Sequence, residues 1–398
     1  MALLEFLFTL FIISLPIGVI GRIGLGSQIF IYSHDLILLC IFTISTLYFI
    51  KKKSIPHPRN IFVSFLVFFI FGIFSLIVSP TKMNFQELST SFLYDFRFLM
   101  YVNLIFALSI LSKKFKDRIL LKLSLSGVVF IALGFVQYFL YPNLKNLYYL
   151  GWDEHLYRLF STVLDPNFAG VIIVLTIITI LHFLVQKNIK KPIVVAILFL
   201  SIVSLFLTYS RSSIIMFVVS ISTFFILKRN YKTLILIIVL MIFSIILIPK
   251  DFSIENMNPF RSASIIGRGS SMKAAIKVFE SSPIYGVGFN SLRYSQRKLG
   301  VLDTRFEITH AGAGVPNSYL VVLATTGLIG FIIFLTFLFF VIKEAFLVFA
   351  QKKSSESIVT ISCLFGIFVG SLFENILFYP IIAIWIFTLV GVTVYRRQ

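Results

Sequence analysis

Acidic side chains are scarce in this chain: 16 Asp and Glu stand against 35 Lys and Arg, and charged residues make up only 13 % of its 398 positions. Cysteine is scarcer still. Cys40 and Cys363 both lie inside apolar runs, so they offer no disulfide framework and say nothing of a redox compartment. Neither a His-x-x-Glu-His nor a Cys-x-x-Cys spacing occurs, so no metal motif is present and no cofactor is called for. The polar–apolar alternation that barrel strands need is missing as well. What is abundant is apolar: 58 % hydrophobic residues and a mean hydropathy of +0.99. These residues form unbroken runs close to the roughly 20 needed to cross a bilayer as a helix. In lipid, only helices and closed barrels satisfy their own backbone groups. The sequence therefore predicts an all-α polytopic membrane protein, one integral membrane domain over residues 1–398. The first run lacks a small-residue cleavage site behind a basic segment and reads as a retained helix.

Twelve transmembrane helices are predicted, at about 3–20, 30–50, 61–79, 92–112, 119–141, 168–186, 192–209, 212–227, 233–249, 317–342, 357–377 and 379–395. Basic clusters fall on every second connection: Lys51 to Lys53, Lys113 to Arg118, Lys187 to Lys191, Lys228 to Lys232, Lys343 to Lys353, and the terminal Arg396 and Arg397. The positive-inside rule assigns these to the cytoplasm and places both termini there. The formal charge of +19 is thus topogenic and does not ask for nucleic acid. The outer connections are then about 21–29, 80–91, 142–167, a turn at 209–212, a long loop between helices 9 and 10 at 250–316, and a turn near 378. The long loop holds nine Lys or Arg against five Asp or Glu. Loops of this length translocate largely regardless of charge, but something must hold that basic excess in place. Within it, Met272, Ala275, Ile276 and Phe279 recur at helical spacing, predicting a short amphipathic helix that lies on the membrane surface or caps the bundle.

Charges near or within spans usually mark sites. Asp95 and Arg97 read as a mutually neutralising pair. Arg211, in Thr208-Tyr209-Ser210-Arg211-Ser212-Ser213, joins two apolar runs with almost no loop. It serves either to snorkel to lipid headgroups or to bind an anion bidentately. Arg158 and Arg268 also face outward, and Arg268 precedes helical amides that favour a phosphate. Such a group suits an anionic, membrane-embedded substrate such as a lipid pyrophosphate, and equally an ordinary anionic lipid.

Three stretches resemble the O-antigen ligase and O-antigen polymerase family of bacterial envelope polysaccharide enzymes. The first runs from Arg158 through Asp165-Pro166-Asn167 to Gly170, and the second is the Ser210-Arg211 turn. The third leads from Gly267-Arg268 through Ser282-Pro283-Ile284-Tyr285-Gly286-Val287-Gly288-Phe289-Asn290 to His310, Asn317-Ser318-Tyr319-Leu320 and Thr326-Gly327-Leu328-Ile329-Gly330. The likeness covers roughly residues 150–335. It departs from the family's usual pattern at Met272, where Trp is frequent, at Pro316, where His precedes the Asn, and near Thr325, where an acid is frequent.

The resemblance implies transfer of a glycan from undecaprenyl pyrophosphate to an acceptor hydroxyl at the outer face of the cytoplasmic (inner) membrane. The acceptor is a growing glycan in polymerases and a lipid A core in ligases. It implies no metal or nucleotide. Arg158, Arg211 and Arg268 would stabilise the pyrophosphate charge. His310, with Glu307 or Asp303 as substitutes, would act as base or orient the acceptor. Asn167 and Asn317 would bind sugar hydroxyls. The pattern around His310 favours polymerase over ligase. Partner proteins of envelope assembly are compatible with this reading. A flippase or other transporter is the rival class, but the chain shows no six-helix repeat and no long central cytoplasmic connection.

Overall fold

A computed structural model describes residues 1–24, 29–150, 152–185, 190–246, 263–302 and 314–395. The elements in its first half are α1 (Ala2–Ser14), β1 (Arg22–Gly24), β2 (Phe30–Tyr32), α2 (Ser33–Lys52), α3 (Arg59–Ile77), α4 (Phe85–Ala107), α5 (Lys113–Lys116), α6 (Ile119–Leu140) and α7 (Pro166–Leu181). There follow α8 (Lys191–Leu207), α9 (Arg211–Leu227), α10 (Tyr231–Ile246), α11 (Ala263–Ser281), α12 (Leu292–Lys298), α13 (Ser318–Lys352), α14 (Ser355–Gly370) and α15 (Pro380–Val394). Each of the twelve apolar runs overlaps one of these helices. Among the described residues, six stretches have the length and apolarity to cross a membrane: Ala2–Gly21, Ser33–Lys52, Arg59–Ile77, Phe85–Ile110, Lys113–Leu140 and Ser318–Lys352. Helices α7, α8, α9, α14 and α15 are apolar but shorter.

Caps explain where the boundaries differ from hydropathy. Helix α4 begins at Phe85, well before its apolar run. Asn84 accepts from the Glu87 amide at 2.8 Å while the Glu87 carboxylate accepts from the Asn84 amide at 2.9 Å. That reciprocal box starts a helix in polar sequence. Helices α7, α9 and α13 are capped by the side chains of Asp165, Ser210 and Asn317, the residues that enter the three motifs.

Helices α7 and α15 are buried along nearly their whole length. Around them α9 packs on α7 and α14, α3 on α13, α4 on α15, and α1 on α2. An aromatic cluster fills the centre, in which Phe289 meets Phe68 at 5.5 Å and Phe378 at 5.4 Å between ring centroids. Phe289 comes from a connection, so a non-helical segment reaches into the bundle. One end of the bundle joins the basic connections: Tyr395 donates to the His57 carbonyl, Glu5 accepts from the Ser112 amide at 2.9 Å, and His182 meets Ser355 at 2.9 Å. The opposite end carries the β1–β2 hairpin, which pairs antiparallel with Ile23 opposite Ile31. The helical reading of the sequence did not include this hairpin.

Two further expectations are corrected. Asp95 and Arg97 do not pair. Two residues apart, they leave the helix in nearly opposite directions. Arg97 instead reaches Asp35 at 2.8 Å, while Asp95 sits buried against Gly72. The helix of the long loop is longer than its apolar pattern, spanning Ala263–Ser281, and its buried line runs through Ala275 and Val278 while Ile276 is exposed. It packs on α13 in a small cluster with Val287, Leu292, Val315, Val321 and Ala324, so it caps the bundle. The seven-residue α12 was not foreseen. Its Arg297 pairs with Glu87 at the start of α4, and Arg268 of α11 pairs with Glu374 after α14. These contacts account for part of the basic excess in the loop.

Candidate functional site

At the hairpin end, the first two motifs lock together. Asn167 accepts from the Ser210 hydroxyl at 3.0 Å, and its carbonyl accepts from Ser213 at 3.0 Å. Gly170 lets the two helices touch, since a Cβ there would stand 2.4 Å from the Ser213 hydroxyl. Arg158 is buried, and its guanidinium donates to the carbonyls of Thr208 at 2.8 Å and Tyr209 at 3.4 Å. The backbone joins in, with Leu159 donating to Leu207 at 2.9 Å. Arg158 and Asn167 therefore hold the tight turn from which Arg211 projects, half-buried, at the first position of α9.

The third motif is a clasp of backbone on backbone. Helix α13 breaks at Gly327, with φ of 65°. At that break the amides of Val287 and Gly288 both donate to Thr325, at 2.9 and 2.8 Å, and Leu328 donates to Pro283 at 2.8 Å. The Ser75 hydroxyl bridges the same place, accepting from Gly288 at 3.1 Å and donating to Thr325 at 3.2 Å. Gly286 and Gly327 face each other so closely that a Cβ on either would fall within 2.6 Å of the partner's backbone. The clasp inserts Phe289 into the aromatic core and leaves Asn290 facing a cavity.

That cavity, of about 340 Å³, is lined by Tyr32, Tyr94, Arg97, Phe168, Asn290, Gly314, Glu374, Asn375 and Tyr379 among others. Phe168 stacks on Tyr379 with centroids 4.0 Å apart. Arg97 binds Asp35 and the Phe30 carbonyl and lies over the rings of Tyr32 and Tyr94, so it fastens the hairpin to α4. The stretch after α14 is fastened by Asn317 and Ser318. Asn317 donates to the Leu372 carbonyl at 3.1 Å, and Ser318 donates to the Glu374 carbonyl at 3.3 Å and receives the Leu377 amide at 3.2 Å. Glu374 thus stands at the cavity wall, bound to Arg268. Arg211 has Arg268 among its electrostatic neighbours. Arg268 thus pairs with a carboxylate of the cavity wall, with Arg211 within electrostatic reach of it, an arrangement suited to a multiply charged anion.

Of the residues chosen from sequence, Arg211 and Arg268 lie within electrostatic reach of each other. Arg158, Asn167 and Asn317 support the segments that carry the site. His310, Glu307 and Asp303 lie outside the described residues. The sequence reading passed over Glu374 and Asn375, although an acid inside the apolar run at 357–377 was a signal, since ionisable residues in such runs are costly to keep. Tyr32, Tyr94 and Tyr379 carried no local signal, because aromatics are common throughout this chain.

Fold and site together define a multi-pass helical membrane protein with a polar cavity and a cationic rim at one end of its bundle. Residues 195–335 match the family model described as O-antigen ligase, which supports the likeness to the O-antigen ligase and polymerase-like family. The match includes the Arg211 turn and both halves of the clasp, and supports an O-antigen ligase- or polymerase-type membrane glycosyltransferase. No curated protein matches the chain.

Proposed function

We propose that the protein transfers a glycan from undecaprenyl pyrophosphate to an acceptor sugar hydroxyl at the outer face of the bacterial inner membrane. The observation that carries this reading is Arg268 paired with Glu374 of the cavity wall, with Arg211 within electrostatic reach of Arg268. The charge rule supports the orientation: the basic connections belong to the cytoplasmic side, and the hairpin end to the outer side. Breaking the anomeric C–O bond leaves negative charge on the pyrophosphate, and arginines fixed in advance stabilise it without reorganising. Arg158 serves this chemistry by holding the turn of Arg211. Tyrosines and amides along the cavity suit a sugar, with aromatic faces for stacking and amides for hydroxyls. His310, with Glu307 as substitute, orients the acceptor. Gly314, four residues beyond His310 in the sequence, lines the cavity, which supports that assignment.

The polymerase reading, with a growing glycan as acceptor, is favoured over a ligase acting on lipid A core by the sequence around His310. Incubating purified protein with a lipid-linked repeat unit, with and without lipid A core, separates them. Chain growth without the core supports the polymerase, and a single transfer onto the core makes it a ligase. Neither product, with movement of the lipid across a vesicle membrane, makes it a flippase. Arg211→Ala and Arg268→Ala are expected to abolish transfer with membrane insertion intact; normal glycan from both variants would refute the pyrophosphate role.

A further inference from the structure

The hairpin end holds a second cavity, of about 510 Å³, whose chemistry differs from that of the first. It lies between the segment after α1, the C-terminal half of α6 and the stretch 160–164. Its wall is mostly apolar, and Ile20, Leu133 and Val136 are exposed along it, so in a bilayer it opens towards the acyl chains. We propose that this groove seats an anionic phospholipid, with its phosphodiester on Arg22 and an acyl chain along the apolar wall.

Arg22 is the sole charged residue among the described residues that line the groove. Its guanidinium forms no hydrogen bond or ion pair with a described residue. It lies over the ring of Phe30, 4.7 Å from the centroid, and over that of Trp152 at 5.5 Å. Aromatic faces hold the plane of a guanidinium and leave its N–H edge unspent. A half-buried arginine among apolar groups is costly without a counter-ion, and an anion delivered by the bilayer removes that cost.

The other described polar side chains of the wall are already engaged or out of reach. Gln137 uses both of its ends. Its Oε1 accepts from the amides of Phe160 at 2.8 Å and Ser161 at 3.0 Å, and its Nε2 donates to the carbonyls of Tyr141 at 3.0 Å and Arg158 at 3.3 Å. The Tyr141 hydroxyl donates to Asn146, and the Ser161 hydroxyl donates to the Phe130 carbonyl at 2.8 Å. The Trp152 indole N–H and the Thr162 hydroxyl are inaccessible. Among the described side chains a sugar would thus find only Arg22 to bond, whereas an amphiphile with one anionic group finds both of its parts matched.

Charge separates a phospholipid from a lipid pyrophosphate. A phosphodiester carries a single negative charge, which one guanidinium meets with two parallel hydrogen bonds. A pyrophosphate diester carries about two and suits the neighbouring Arg211 and Arg268. In the hairpin Arg22 stands opposite Tyr32, which lines the first cavity, so the bound lipid also steadies one wall of that site.

The test uses the full-length protein in phosphatidylcholine nanodiscs and the fluorescence of its two tryptophans, which bromine on a neighbouring acyl chain quenches. Trp152 lines the groove, whereas Trp385 is buried on α15 and gives a constant background. Brominated phosphatidylglycerol should reach half of its quenching at about tenfold lower content than brominated phosphatidylcholine, the scale of one charge-assisted contact. Arg22→Gln should abolish this preference. So should Leu133→Phe combined with Val136→Phe, which narrows the groove and keeps the arginine. Equal quenching by the two lipids in the parent would overturn the proposal, as would a preference that survives in either variant. Displacement of the brominated lipid by glycan-free undecaprenyl pyrophosphate at lower content than by unlabelled phosphatidylglycerol would overturn it too, giving the groove to the pyrophosphate lipid.

Discussion

Replacing Gly286 by alanine tests whether the clasp between the long loop and α13 is what delivers the cavity wall. A Cβ at this position would lie 2.2 Å from the Thr325 carbonyl oxygen and 2.5 Å from the Gly327 nitrogen. Both are backbone atoms, so neither can rotate away. The residue also has φ of +75°, a region that costs an L-residue about 1–2 kcal/mol. Relief requires the strands of the clasp to part, at the expense of the two amides donated to Thr325, each worth about 0.5–1.5 kcal/mol. The sum is about 2–5 kcal/mol before any loss of the Phe289 packing. Scanning fluorimetry in detergent should show the unfolding midpoint falling by on the order of 5 °C, and glycan transfer should drop with it as Asn290 leaves the cavity. Gly269 supplies the control. It lies in α11 with open space around its Cβ, so Gly269→Ala should be neutral or stabilising by about 0.5–1 kcal/mol. Equal midpoints for the parent and the Gly286 variant would refute the reasoning.

The pairing of Arg97 with Asp35 predicts that Arg97→Ala destabilises by about 3–5 kcal/mol, because a buried carboxylate loses its opposite charge. Asp35→Asn in the same chain should restore much of the loss, and a double-mutant cycle on unfolding midpoints checks the coupling. Arg158→Lys keeps the charge but cannot donate to two carbonyls from one planar group. It should lower transfer by about tenfold or more, since a catalytic group displaced by about 1 Å costs up to roughly 100-fold, with the protein still in the membrane; full activity would show that the turn of Arg211 needs no clamp.

The helices were legible because lipid imposes a one-dimensional rule: a segment that must bury its own backbone needs an unbroken apolar run, and such a run is visible without knowledge of its neighbours. The sequence reading did not single out the caps at Asp165, Ser210 and Asn317, although a cap bonds only two or three residues away and is a local signal. The roles of the polar side chains were less legible than the helices. Asn167 and Asn317 read as sugar ligands, yet their side chains engage Ser210, Leu320 and Leu372, because a carboxamide serves a turn as readily as a hydroxyl.

The third motif shows the division most clearly. Its glycines announce turns from the sequence alone, but that the turns around Gly286 and Gly327 grip each other depends on two segments meeting in space. The same holds for ion pairs. Arg97 finds Asp35 in another helix, and Arg268 finds Glu374 beyond α14, since charges in a poorly solvating interior pair with whatever opposite charge the packing supplies. The sequence by itself determined a basic outer loop, a family likeness and a run of apolar helices. Only the tertiary structure decided which cations come within reach of each other and which carboxylate of the cavity wall pairs with one of them, because such contacts are set by how the helices pack and not by their spacing along the chain.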